Sequence, residues 1–570
     1  MRSAAPPVGS LNGGVVIDVA PMSTVSEATG AWGSLETWSA KTSRFRVVLW
    51  VGSILWLFAA WPLFVLKNLP HQDLSAHIAA SYVVDHIAQY PQYVATHGLR
   101  TNSALTLFVS ATAPVFGYMG AARVLLMGVL AATAFGYACL LLSLGGPKRV
   151  WLGGLFAVPF VNHWYVSMGM LNFSLSFGLC LFILSHQRAL RERWSYHRAL
   201  GVAVLSVIAW IAHSFPLLVL LVMASGECIH AYFRDKSSLA GAVRWGIALV
   251  PAGLLVVLGS LLAPVHEYAR IPGSGRTTWE NAGELILGMF RHFAVGPTFL
   301  SGAAIMTGVA LLLVVFVHRK DDCPTGFSGT TLALLALCYA FVPFAIIPVW
   351  SYFGTRFLPF IWLGLLVRVP NQLPHRLLSF VSCAAVASSL GTGAGFLSMD
   401  HRLNDFRSGL PHVETGANVL PVLFSVKDSG DFIEPFMHAW ALYTIERGTS
   451  ADMVWASRSV DAEHYVTAPP PRFHHDAIAN RPRSMYSANV WCSNLVQYAN
   501  TVLENCPQAW EAEWHSYLND ASKRYSYVLV WDAPEPTLAI ITQHFPVIHR
   551  QGKLTVGKLE RAFAGTSVSQ

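Results

Sequence analysis

Charge is scarce in this chain. Of its 570 residues 12% are Asp, Glu, Lys or Arg and 54% are hydrophobic, with a mean hydropathy of +0.45, a balance that excludes an ordinary water-soluble globular protein. The apolar runs are nearly free of ionisable residues, which counts against ion-coupled transport, because coupled transporters bury such groups at mid-membrane. No phosphate-binding glycine loop occurs: GTGAG at 391–395 lies inside an apolar run, where small residues let helices approach closely. No CxxC or Cys/His spacing supports a metal site, no internal repeat is found, and no short basic segment leads into a brief apolar stretch as in a cleavable signal. Residues 1–44, rich in Gly, Ser, Ala and Pro at their start, read as a disordered lead-in.

What the chain does have is length in its apolar runs. A transmembrane helix needs roughly 20 apolar residues, and 46–66, 121–145, 245–263, 299–317 and 330–350 supply them. Shorter runs at 150–166, 171–187, 199–213, 215–233, 356–369 and 376–398 bring the expectation to about eleven spans across 45–399. Basic residues gather in short loops: Lys41, Arg44 and Arg46; Lys148 and Arg149; Arg188, Arg191, Arg193 and Arg198; Arg234 and Lys236; Arg319 and Lys320; Arg368 and Arg376. With about eleven spans all of these fall on one side, which the positive-inside rule makes the cytoplasm. The N-terminus is then cytoplasmic, outer loops run over 67–120 and 264–297, and 400–570 lies outside, periplasmic if the membrane is a bacterial inner membrane. The net charge of +7 is spread over these loops, so it marks a membrane side and no nucleic-acid surface.

The first outer segment has helical periodicity in its middle, with Leu74, Ile78, Val84 and Ile87 on one side, as in a helix lying on the membrane surface. Asp73 and His77 share one face of it. A second amphipathic stretch is Trp279–Phe293, near His266, Arg270 and Arg291. The tail alternates an apolar run at 418–424, a helix-like stretch at 435–448 closing on Gly448, a loop at 468–484 and a strand-like YSYVLVWD at 525–532, a pattern expected of a small α/β domain. Of eight cysteines, Cys139, Cys180, Cys228, Cys338 and Cys383 fall in spans as packing residues. Cys492 and Cys506 in the tail suit a disulfide in an oxidising compartment, the other reading being two unrelated buried thiols.

Polar residues gather at the outer ends of spans: His163, Tyr165, Asn172, His213, Tyr352 and Arg356. Singly, an interfacial His or Tyr is more often an anchor and an Arg near a helix end more often snorkels. Together, and on the side of Asp73, they are candidates for lining a substrate cavity.

The order of parts resembles the C-type (GT-C) membrane glycosyltransferases, the superfamily of protein O-mannosyltransferases and lipid A aminoarabinose transferases. The residues that carry the resemblance are the acidic position in PHQDLSAH directly after the first span, the long outer loop, NFSLSFGL at 172–179, SYFGTRFLPF at 351–360 and the outer α/β tail. The resemblance implies an α-helical polytopic fold and a donor sugar carried on a polyprenyl phosphate or diphosphate. It also implies a catalytic carboxylate in the first outer loop, a role that falls on Asp73, with His77 beside it. Many members have two adjacent acidic residues where this chain has Gln72 and Asp73, so a divalent metal is not indicated, and no cofactor is expected.

The chemistry agrees with one carboxylate. A phosphate leaves as a stable anion, so sugar transfer from it needs a base for the acceptor hydroxyl and cations for the phosphate but no general acid, whereas glycoside hydrolysis calls for two carboxylates. Arg356 is the best placed cation, since a guanidinium fork matches phosphate oxygens, with Arg270 and Arg291 behind it. The partners expected are the lipid-linked donor, a saccharide, lipid or protein acceptor, and membrane lipids. The competing reading for Asp73 is an N-cap of the helix that follows. The competing functions are a polysaccharide polymerase or ligase, an uncoupled flippase of lipid-linked saccharides, and a structural membrane subunit.

Overall fold

The computed structural model describes residues 43–95, 100–261, 277–291, 298–317, 327–346, 352–370, 372–428, 431, 433–450, 463–465, 470–473, 475–499, 501 and 503–560. His266 and Arg270 lie outside the described residues, as does the side chain of Arg291.

The membrane part is helical. Its elements in chain order are α1 (Arg44–Ala60), α2 (Leu74–Asp85), the short strand β1 (Tyr93–Ala95), α3 (Ala104–Val161), the single turn α4 (Trp164–Ser167), α5 (Leu171–Ser185), α6 (Tyr196–Ala212) and α7 (Ser214–Arg234). There follow α8 (Leu239–Ala248), α9 (Val250–Leu261), β2 (Thr277–Thr278), α10 (Ala282–Arg291), α11 (Thr298–Val317), α12 (Gly329–Phe341), β3 (Ala345–Ile346), α13 (Leu358–Leu366) and α14 (His375–Arg407). Among the described residues, five helices are long and apolar enough to cross a membrane, or six if α8 and α9, bent by 44°, form one span. Large apolar side chains such as Trp50, Leu254, Leu313 and Phe316 stand exposed on these helices, as a hydrocarbon solvent permits and water does not. The chain is a membrane protein.

α3 is three helices in a row. Gly117 (φ 69°) and Gly146 (φ 75°) break it, each taking a left-handed backbone that a Cβ disfavours. The second break sits before Pro147, beside Lys148 and Arg149, where the sequence places a loop.

The basic residues Arg188, Arg191 and Arg368 lie at one end of the bundle. Arg188 reaches the Leu144 carbonyl, Arg191 pairs with Glu227 at 2.8 Å, and Arg368 reaches the Phe327 carbonyl. The opposite end carries Asp73. The loop before it is tied to α14 by Asp400, whose carboxylate accepts from the backbone amides of Lys67 (3.1 Å) and Asn68 (2.7 Å) and from Asn68 Nδ2 (2.8 Å).

α2 corrects the expectation of a helix lying on the membrane surface. Leu74, Ser75, Ala76, Ile78, Ala79, Ser81 and Val83 are all buried, because α2 is wedged between α3 and the tail helix at Ala441–Arg447. Its apolar periodicity serves protein on two sides, not lipid on one. Further along, α10 starts with a capping box: Glu284 N–H donates to Asn281 Oδ1 (2.9 Å) while Asn281 N–H donates to the Glu284 carboxylate (3.0 Å), satisfying two amides that a helix start leaves open.

The tail contains β4 (Val419–Leu423), α15 (Ala441–Arg447), β5 (Glu463–Tyr465), α16 (His475–Ser484), α17 (Ala488–Ala499), α18 (Cys506–Ser522), β6 (Tyr527–Trp531), α19 (Glu535–His544), β7 (Val547–Gln551) and β8 (Leu554–Lys558). Four strands form a sheet in the order β4-β6-β8-β7, with β4 parallel to β6 and the other pairs antiparallel. Pro421 fits because β4 is an edge strand. β5 pairs with β1, so the tail also grips the segment between α2 and α3. Two expectations shift. The segment 468–484 is not simply a loop, since α16 forms and carries Pro482 near its end. The helix expected over 435–448 begins only at Ala441, residues 435–440 being turns, though it does close on left-handed Gly448 (φ 62°).

Cys492 and Cys506 are disulfide-bonded, Cα to Cα 6.0 Å, joining α17 to α18. Closing a loop of this size restricts the unfolded chain, so Cys492→Ser should cost about 2–3 kcal/mol of tail stability. Thermal unfolding with and without reductant checks this: the wild-type midpoint should fall on reduction and that of the variant should not move.

Candidate functional site

Asp73 ends the stretch that follows α1 and starts α2, and its backbone explains its place. Its amide donates to the Met168 carbonyl (2.8 Å) and its carbonyl accepts from His77 N–H (3.1 Å), the first turn of α2. Gly169 (φ 83°) lies directly beneath: a Cβ there would sit 2.6 Å from Leu74 N and 3.2 Å from Asp73 N. Only glycine permits that approach.

The carboxylate does not cap the helix it begins. Asp73 has helical dihedrals (φ −94°, ψ −9°) and makes no side-chain cap hydrogen bond, so the capping role, which needs an extended residue with its oxygen turned onto the next amides, is not used. Instead, Asp73 is 6% exposed, and its Oδ1 lies 3.5 Å from Nε2 of His438, itself 3% exposed, in the tail. That is an ion-pair distance, longer than a good hydrogen bond.

Neighbours extend the cluster. Gln72 Oε1 accepts from Glu434 N–H (2.8 Å), locking the loop to the tail. His71 stacks on Phe396 at 4.8 Å, and burial lowers its pKa to about 3, so it stays neutral. Tyr352 (φ 58°) faces the same region; burial, then the negative charges of Asp73 and Glu434, raise its phenol to about 12.

α4 connects this cluster to the other expected residues. Trp164 meets Tyr352 edge-on at 5.0 Å, and Tyr165 Oη donates to Thr355 Oγ1 (2.9 Å). The next residue is Arg356, 9% exposed, with Nη1 2.8 Å from His213 Nε2 and the guanidinium carbon 5.5 Å from the Phe173 ring centroid and 5.9 Å from that of Phe215. His213 Nδ1 also faces Phe215 N–H at 3.1 Å. A neutral imidazole has one bare nitrogen, so Arg356 and the Phe215 amide compete for a single lone pair. His163 is buried between Tyr165 and Phe177, with neither ring nitrogen hydrogen-bonded among the described residues. Asn172 is engaged structurally: Oδ1 accepts from Leu105 N–H, and Nδ2 donates to the carbonyl and side-chain oxygens of Asn102.

Asp73, Tyr352, Tyr165 and Arg356 are thus joined through α4, with His213 behind Arg356 and Asn172 pinning the start of α3. His77 is on the first turn of α2, half-buried. Sequence reasoning missed His438, Glu434 and Gly169. His438 sits in PFMHAW, whose apolar character reads as core, and nothing local distinguishes it. Among the described residues no group of three or more His, Cys, Asp or Glu is arranged to hold a metal ion.

No protein-family model matches the chain, and no curated protein does. Among solved structures it is similar to ArnT from Cupriavidus metallidurans. In the crystal structure bound to undecaprenyl phosphate the TM-score is 0.47 at 11% identity, covering 90% of this chain and 97% of that one. In the apo state the TM-score is 0.45 at 10% identity, covering 92% and 98%.

Proposed function

We propose that the protein is a membrane glycosyltransferase that moves a sugar from a polyprenyl-phosphate-linked donor to an acceptor on the extracytoplasmic side, with Asp73 as general base and Arg356 binding the donor phosphate. The observation that carries the reading is the buried Asp73 carboxylate, which is not used as a helix cap and lies at the end of the bundle that also holds Arg356. A buried carboxylate in such a cluster is a candidate for proton transfer. A guanidinium walled by aromatic rings meets an anion without competition from bulk water. The placement of Arg188, Arg191 and Arg368 at the opposite end supports a cytoplasmic location for that end, and the tail disulfide supports an oxidising compartment for the domain above Asp73. Purified protein should release undecaprenyl phosphate from at least one member of a panel of undecaprenyl-phosphate sugars supplied with saccharide, lipid and protein acceptors. No release from any member would overturn the reading.

A further inference from the structure

We infer that His438 is the proton relay of Asp73, so that the tail supplies half of the catalytic base. This rests on the transferase reading above. The geometry is a cross-domain pair: Asp73 Oδ1 and His438 Nε2 are 3.5 Å apart, and both side chains are more than nine-tenths buried. Backbone hydrogen bonds set both positions and tie them together through Gln72, the neighbour of Asp73. Met168 holds the Asp73 backbone, while the Glu434 amide bonded to Gln72 holds the tail turn that carries His438.

The chemistry gives the pair a purpose. A lone carboxylate, with an ordinary pKa near 4, is a weak base toward a hydroxyl at neutral pH, whereas an imidazole near 6.5 is matched to it. In the step, the acceptor oxygen bonds to the anomeric carbon, and the bond from that carbon to the phosphate oxygen breaks, its electron pair leaving with the phosphate. The acceptor's proton moves to Asp73 and on to His438 Nε2, ending as an imidazolium against a carboxylate before it is lost to solvent. The other titratable and charged groups facing the pair are few among the described residues. His71 and His77 flank Asp73 on its own segment, and His71 is held neutral by burial. Tyr352 faces from the segment before α13 and stays a phenol. Glu434 faces from the tail, neutralised by Arg483 at 2.8 Å.

Two measurements test the relay. The first needs no substrate: the His438 ring, assigned by its loss in His438→Gln, is titrated by histidine-selective carbon NMR in wild type and in Asp73→Asn. Removing the carboxylate should lower its midpoint by about 1 unit or more, and an unchanged midpoint would overturn the pairing. The second is the pH profile of kcat/KM for undecaprenyl phosphate release. The wild-type acid limb should report the imidazole. In His438→Gln the rate should fall about tenfold and the limb move down by about 2 units, into the carboxylate range. A limb that stays, or one that moves up as for a simple charge partner, defeats the relay. If Asp73→Asn retains wild-type turnover, the base assignment itself fails. An inactive Asp73→Asn beside an unshifted His438→Gln removes the relay alone. Should His438→Gln not fold, His438→Asn takes its place for the assignment, and the titration of wild type against Asp73→Asn still decides.

Discussion

Asp73→Asn is expected to reduce transferase turnover by roughly 100-fold or more, the usual worth of a positioned base, while the protein still folds and inserts. Asn keeps the size and the backbone contacts to Met168 and His77, and no cap is lost because none is made. What it cannot do is take a proton. The check is single-turnover release of undecaprenyl phosphate alongside the thermal midpoint. Loss of both together would mark Asp73 as structural, and loss of neither would return the site to the polymerase-like or transport alternatives.

Arg356→Lys should raise the donor KM by roughly tenfold or more, with a smaller change in kcat. A lysine ammonium keeps the charge but loses the planar fork that suits two phosphate oxygens and the guanidinium contacts with the Phe173 and Phe215 rings. His213 gains from the change, since the Phe215 amide then has less competition for its lone pair. Steady-state kinetics over donor concentration separates the outcomes. An unchanged KM with a lowered thermal midpoint would make Arg356 a packing residue.

Much of the architecture was legible because its causes are local. Apolar length predicts the helices, a run of β-branched and aromatic residues predicts β6 at Tyr527–Trp531, and Gly448 ends α15 because a left-handed residue stops a helix. The tail disulfide followed from two cysteines in a segment read as lying outside. What stayed hidden is what depends on long-range contact. The periodicity of α2 reveals an apolar stripe but not whether lipid or protein covers it, and here protein covers both sides. Two expectations rested on local composition and shifted for that reason. Prolines suggested a loop over 468–484, yet α16 tolerates Pro482 in its last turns. Helix-like composition over 435–448 concealed the turns that bring His438 to Asp73. Asp73 itself was visible as the acidic residue after the first apolar run; that it leaves its helix uncapped was not.

The Asp400 clamp has a consequence for biosynthesis. Asn68 and Asp400 are 332 residues apart, and β1 waits on β5 in the tail. Asp73 therefore leaves the ribosome early, while these two contacts to its loop form only after α14 and the tail have been translated. A nascent or truncated chain ending before Asp400 lacks both contacts and holds that loop only through Arg123, Ser167 and Met168.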